Sequence, residues 1–168
     1  MRIISKDTIT AVITTLIGVL VGYLISMHFY QVTKKEVKKQ LINSALVEVT
    51  HNTLERNYPQ LFDSIQFSGS VHPWRKLVTT GIDKLYFDIM VFINYDKFVE
   101  FVNIVNEAKL STDDFNDRIT LHNLSIFWGP SYTRALNPGA YHYYHQYVLP
   151  ALLNLQEYIK KHGKELIH

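Results

Sequence analysis

The sequence contains no cysteine, which excludes disulfide bonds, thiolate zinc sites and cysteine nucleophiles. It also lacks the P-loop, the dinucleotide-binding GxGxxG, the GxSxG nucleophile elbow, the HExxH zinc motif and the EF-hand loop. Each of these motifs would have indicated a mechanism. Their absence leaves no cofactor and no metal ion indicated by a motif.

Most of the chain carries no excess of positive charge. Residues 1–40 carry six cations and two acids, whereas the remaining residues carry eleven cations and thirteen acids. Electrostatic capture of nucleic acid therefore has no basis in the folded part. The 168 residues are 47% hydrophobic and 13% aromatic, which indicates one domain with a packed interior.

Residues 8–30 form an apolar run without formal charge unless His28 is protonated. A helix needs about 20 residues to cross a hydrocarbon core of about 30 Å. A signal peptide has a shorter apolar region, of about 7 to 15 residues, and a small-residue cleavage site, which is not found here. The run therefore predicts an uncleaved, single-pass transmembrane helix preceded by a short flank, residues 1–7.

The basic residues beside this run predict its orientation. Arg2 and Lys6 precede it and are offset by Asp7. The juxtamembrane segment, residues 31–40, contains Glu36 and four lysines: Lys34, Lys35, Lys38 and Lys39. The positive-inside rule places the C-terminal domain in the cytoplasm and the protein in the cell (inner) membrane. The lysines are candidates for contact with lipid head groups, or they form a stop-transfer flank without lipid specificity.

Small residues recur at every fourth position of the predicted transmembrane helix. They include a GxxxG motif and comprise Thr10, Thr14, Gly18, Gly22 and Ser26. Such a row lets two helix backbones approach closely. We expect Thr14, Gly18, Gly22 and Ser26 to mediate association with a second copy or a different protein. The alternative is that glycine and threonine are simply common in membrane helices.

The remaining pattern predicts an all-α fold. No glycine or proline occurs between Val32 and Tyr58, so the first helix is expected to continue to about residue 57. A loop is predicted at 59–71 and a helix start at 72–74. Residues 82–93 fit either a helix or a strand by composition, and we favour a helix. Asn94 is a candidate N-cap for a helix ending near residue 109, and residues 111–114 a candidate cap for another.

A second loop is predicted at 127–136, followed by a last helix over 137–161 with a kink at Pro150. The resulting architecture is a single N-terminal transmembrane helix that continues into an irregular bundle of four to six helices. Residues 41–168 form this helical soluble domain.

One polar cluster shares a helix face: Glu48, His51, Asn52 and Glu55 occupy positions i, i+3, i+4 and i+7. Glu-x-x-His is half of the ligand set of ferritin-like di-iron proteins, but the sequence has no second copy. A hydrogen-bond network around Asn52 is therefore favoured over a metal site.

A second cluster, residues 141–147, is rich in tyrosine and contains His142 and His145. Two imidazoles fall short of the three protein ligands that a zinc site needs. The aromatic rings are expected to pack in the bundle or, if they are exposed, to form a surface that binds a protein partner.

The layout of the first third of the chain carries one resemblance. The opening Met-Arg-Ile-Ile, the apolar run, the basic flank and the Glu-x-x-x-Asn helix at Glu48 and Asn52 resemble small uncharacterised bacterial proteins with one N-terminal membrane helix and a helical soluble domain. This resemblance implies no activity.

Three functions remain open. The first is a membrane-anchored helical interaction module, such as a subunit of a membrane complex or a stress or phage-defence component, with a protein partner or a second copy. The second is a metal-dependent enzyme that uses Glu48, His51, His142 and His145. The third is an effector that perturbs the membrane by oligomerisation.

Overall fold

The computed structural model describes residues 6–54, 57, 74–125 and 139–168. Four α-helices lie in these ranges: α1 (Lys6–Thr53), α2 (Thr80–Phe87), α3 (Phe98–Ser125) and α4 (Leu149–Ile167). A 3₁₀-helix (Ile89–Phe92) follows α2, and α-helical residues 139–143 lead into a π-helical turn (Tyr144–Val148) before α4. The described residues contain no β-strand. The all-α prediction is confirmed.

The chain divides into two units, Met1–Val37 and Lys38–His168. The first unit is helical from Lys6. Its large apolar side chains are exposed, including Leu16 at 64% and Phe29 at 65%. The apolar stretch is long enough to be a membrane span or a signal sequence, and none of it is buried.

Polar side chains of the first unit are hydrogen-bonded within their own helix. The hydroxyl groups of Thr14, Thr15 and Ser26 each donate to the carbonyl oxygen four residues earlier, at 2.9 Å. In an apolar solvent such bonds satisfy a hydroxyl that would otherwise lack a partner. These three hydroxyls are therefore compatible with a hydrocarbon environment.

The second unit has its own hydrophobic core. Apolar residues three or four positions apart face this core because they recur at the period of the helix. The largest contributors are fully buried: Ile82, Leu85, Phe92, Phe101, Phe115, Ile119, Tyr144, Leu152, Leu155 and Leu166. Part of the α1 face also lies in this core: Leu41, Ile42, Ala45 and Val49.

Helix α2 packs closely on α1 and runs antiparallel to it. At the start of α2, a Cβ added to Gly81 would lie 2.6 Å from the carbonyl oxygen of Ser44. Beyond the end of α2, the ammonium group of Lys38 lies 5.6 Å from the ring centroid of Phe92. Successive residues of the α2 segment therefore approach earlier residues of α1.

Helix α3 corrects two sequence predictions. It begins at Phe98 and not after an N-cap at Asn94, and it continues through residues 109–114 to Ser125. The hydroxyls of Ser111 and Thr112 do not cap a new helix, because each donates at 2.6 Å to the carbonyl of Glu107 or Ala108 in the preceding turn. Hydroxyl groups in a helix interior use this bond when no helix end is present.

The helix start predicted at residues 72–74 is also wrong at Trp74, the one residue of this range that the structure describes. Residues 74–79 have no regular secondary structure, and α2 begins at Thr80. Just before Pro150 the helix contains the π-helical turn, in which the N–H of Leu149 bonds to the carbonyl of Tyr144, and the kink at Pro150 stays a prediction. The predicted loops at 59–71 and 127–136, and the helix start at 137–138, lie outside the described residues.

Candidate functional site

Three asparagines from two helices hold the non-helical segment 74–78, and each binds the backbone of one residue. The amide of Asn52 donates to the carbonyl of Val78 at 2.6 Å and accepts from its N–H at 3.1 Å. Asn116 binds Leu77 in the same way, at 3.1 and 2.8 Å. The third pair joins Asn123 and Trp74, at 3.0 and 2.8 Å. We call this arrangement the asparagine clamp.

The clamp satisfies backbone groups that a helix or strand would otherwise pair. The side chains of Trp74 and Leu77 are buried, at 5% and 4% exposure, so the segment carries its peptide groups into the domain. Buried peptide groups need hydrogen-bond partners. A primary amide offers both a donor and an acceptor, so one side chain can bind both polar groups of a residue.

The sequence interpretation identified Asn52 but missed the other two asparagines. Asn116 and Asn123 are seven residues apart, which places them on one face of α3 two turns from each other. Asparagine is a poor residue for a helix interior. Two asparagines at this spacing within a helical pattern were therefore a signal that this face binds a polar group.

Glu48 caps the start of α2 from the neighbouring helix. Its carboxylate accepts from the N–H of Gly81 at 2.6 Å and from that of Ile82 at 3.0 Å. The first N–H groups of a helix have no partner within the helix. Thr79, the N-cap residue, makes no capping bond with its own side chain. Burial raises the pKa of Glu48, and the two N–H groups oppose this shift without cancelling it.

Glu48→Gln is expected to lower the free energy of unfolding at neutral pH by about 1–3 kcal/mol, because its NH₂ group would face a backbone N–H. Glu48 has a higher pKa in the folded chain than its ordinary value of 4.5, so folding takes up a proton just above that pH. Its contribution to stability therefore falls as pH rises through this window. Denaturation of the full chain in detergent, followed by tryptophan fluorescence, measures both effects. The difference in the free energy of unfolding between the unchanged chain and Glu48→Gln should increase as the pH is lowered. A difference that decreases at low pH would contradict the raised pKa of Glu48.

Tyr144 closes the end of α1. Its hydroxyl group donates to the carbonyl of Asn52 at 2.8 Å, and its side chain is fully buried. Carbonyl groups in the last turn of a helix lack partners within the helix. Asn52 therefore binds segment 74–78 through its side chain and the π-helical turn through its backbone, which joins three parts of the chain at one residue.

Of the other members of the predicted polar clusters, the structure describes His51, His142 and His145. His51 is exposed, and its carbonyl accepts from the amide of Asn57 at 2.8 Å. His142 is exposed, and both His142 and His145 contact the ring of Tyr141. Glu55 lies outside the described residues. Within the described ranges, no three His, Asp or Glu side chains are grouped so that they could hold a metal ion.

The four lysines of the basic flank differ in exposure. Lys38 is only 7% exposed and packs against the ring of Phe92. Lys35 and Lys39 are exposed, and Lys34 is partly exposed. In the apolar helix, a Cβ added to Gly18 or Gly22 would meet no atom within 4 Å.

Ionic and aromatic contacts brace the helices around the clamp. The ammonium group of Lys109 in α3 bonds to Asp113 and, at 3.0 Å, to Asp83 in α2. Burial alone would lower the pKa of Lys109, but the bonds to these two carboxylates outweigh it and raise the pKa. These contacts tie α2 to α3.

A second brace joins α3 to the residues before the π-helical turn. The guanidinium of Arg118 lies 4.2 Å above the ring of Tyr143 and 3.2 Å from the carboxylate of Asp114. Burial and a hydrogen bond to Asp114 raise the pKa of Tyr143 to about 12. The Tyr143 hydroxyl is therefore neutral at physiological pH and can donate to the carboxylate.

The described residues therefore form an all-helical domain that contains the asparagine clamp. An exposed apolar helix precedes this domain in the chain. In comparisons with known proteins, no family model, no curated protein and no solved structure matches the chain.

Proposed function

We propose that this chain is a membrane-anchored helical interaction module. Residues 8–30 cross the cell (inner) membrane once, and the domain at 41–168 binds a protein partner from the cytoplasm. The observation that carries this proposal is the contrast between the two units. The domain buries its own core, whereas the apolar stretch of α1 buries nothing in the described structure. A long exposed apolar helix requires an apolar environment, and a bilayer provides one.

Cysteine labelling tests the anchor and its orientation, because the chain has no cysteine of its own. Ser5→Cys and Ser68→Cys lie on opposite sides of the apolar run. In intact cells, a membrane-impermeant thiol reagent is expected to label Ser5→Cys alone, since the excess of lysines follows the run. Labelling of both variants after permeabilisation is the control. Labelling of Ser68→Cys alone would reverse the orientation, and labelling of both in intact cells would refute the membrane span.

Association through the small-residue row is the second part of the proposal. The structure leaves open space at Gly18 and Gly22, so isoleucine there does not disturb packing within the chain. In a bilayer the same side chains would keep two helix backbones apart. Gly18→Ile with Gly22→Ile is expected to weaken self-association or copurification of a partner by about tenfold, which corresponds to about 1.4 kcal/mol.

The matched control is Leu20→Ile with Leu24→Ile, two positions along and therefore on the opposite side of the helix. Energy transfer between labelled copies in vesicles measures self-association, and affinity purification measures the partner. Equal behaviour of the glycine variant and the control would remove the small-residue row from the interaction.

A further inference from the structure

We propose that the domain makes a second contact with the bilayer, at the lipid surface, through an exposed apolar stripe formed by Phe87, Met90 and Ile93. We call it the 87–93 stripe. This inference rests on the proposed membrane anchor and adds a surface of the folded domain to it. The stripe would hold the domain in one orientation against the bilayer.

The stripe is centred on the 3₁₀-helix at Ile89–Phe92, with Phe87 at the end of α2 before it and Ile93 directly after it. Residues three positions apart share a face in such a helix because it has three residues per turn. Ile89 is partly buried and Phe92 fully buried, so this face holds the segment to the core. The other face is exposed: Phe87 is 74%, Met90 59% and Ile93 51% exposed.

The stripe lies at the end of the domain where the chain enters it. Helix α2 starts beside Ser44 and Glu48, and the segment that follows reaches Lys38, the first residue of the domain. Since α2 runs back along α1, the residues that follow it come to the entry end. The contact between Lys38 and Phe92 fixes this position.

The anchor restricts how far this end can lie from the bilayer. Lys38 follows Tyr30, at the end of the proposed span, by only eight positions. Even a fully extended chain of that length covers at most about 29 Å. The entry end of the domain must therefore stay close to the membrane surface, whichever path the chain takes.

The charges near the entry end favour a shallow contact with anionic lipid. Lys35 and Lys39 are exposed there, and lysines beside a span are attracted to anionic head groups. Asp88 is exposed between Phe87 and the 3₁₀-helix, which opposes deep insertion. Apolar side chains beside a basic flank suit the head-group boundary, where rings and long apolar chains insert part way.

Depth-dependent quenching tests the stripe in the full chain. Single cysteines at Met90 and, as controls, at Leu16 and Leu121 carry an environment-sensitive fluorophore, in vesicles of phosphatidylcholine and phosphatidylglycerol doped with nitroxide lipid. Leu16 belongs to the apolar run. Leu121 is as exposed as Met90, at 55% against 59%, but lies 23 residues along α3 from Phe98, or about 35 Å.

We expect the label at Met90→Cys to lose emission to the nitroxide lipid, as the label at Leu16→Cys does, whereas Leu121→Cys keeps its emission. Adding Phe87→Ser and Ile93→Ser to Met90→Cys should abolish that loss, and these exposed positions leave the core intact. Quenching at Leu16 alone would overturn the stripe and leave the anchor standing. Absence of quenching at all three positions would overturn the anchor as well, and equal quenching at Leu121 would show contact without selectivity for the stripe.

Discussion

Gly81→Ala is expected to lower the free energy of unfolding by about 2–3 kcal/mol, because the added methyl group would overlap the backbone of α1. The new Cβ would lie 2.6 Å from the carbonyl oxygen and 2.8 Å from the carbonyl carbon of Ser44. These are backbone atoms of a long helix and cannot turn aside as a flexible side chain can. Relief requires α2 to move outwards, which also lengthens the bonds from Gly81 and Ile82 to Glu48.

The matched control is Gly163→Ala in α4, where an added Cβ meets no atom within 4 Å. There the substitution is expected to stabilise the domain by about 0.5–1 kcal/mol, since alanine favours the helix more than glycine does. Chemical denaturation of both variants beside the unchanged chain measures the difference. A Gly81→Ala variant as stable as Gly163→Ala would show that α2 does not pack on α1 at this distance.

Asn52→Leu is expected to lower the free energy of unfolding by about 3 kcal/mol. The side chain of Asn52 is fully buried and makes both polar contacts to the backbone of Val78. Leucine has similar bulk but would leave the N–H and the carbonyl of Val78 without their partner, at about 1–3 kcal/mol for each buried group. The loss should appear in the unfolding midpoint and in faster hydrogen exchange at the Val78 amide.

Two further variants separate the clamp from a general effect of composition. Asn154→Leu changes an exposed asparagine of α4 and should alter stability by no more than about 0.5 kcal/mol. Asn52→Asp keeps the acceptor for the N–H of Val78 but turns the donor into an oxygen that faces a carbonyl. It should therefore be as damaging as leucine near neutral pH. If Asn52→Asp retained full stability, the amide group would not be the basis of the contact.

The helical class and the first helix followed from the sequence because their causes are local. A long stretch without glycine or proline, with apolar residues at the helical period, predicts α1 from its own residues. Ser111 and Thr112 misled the prediction because a hydroxyl that caps a helix and one that bonds back within a helix look alike in sequence. Only the continuation of α3 on both sides of them decides between these two bonds.

The clamp and the approach of α2 could not be predicted because their causes are distant in the chain. Segment 74–78 stays out of a helix since Asn52, Asn116 and Asn123 bind its peptide groups, and two of them follow it by about 40 to 50 positions. Gly81 lies in the first turn of α2 and permits contact with α1, and its own neighbours in the sequence do not reveal this contact. The sequence places Glu48 and Asn52 on one helix face, but it does not reveal the backbone groups of Val78 and Gly81 that these side chains bind.

The bond between Tyr144 and the end of α1 also bears on the order in which the chain can assemble. Asn52 and Tyr144 are 92 positions apart. During synthesis, the last turn of α1 must wait for a further 92 residues before its closing partner exists. Contacts of such long range slow folding and make it cooperative. The domain is therefore expected to remain an incomplete, chaperone-accessible intermediate until Tyr144 has been synthesised.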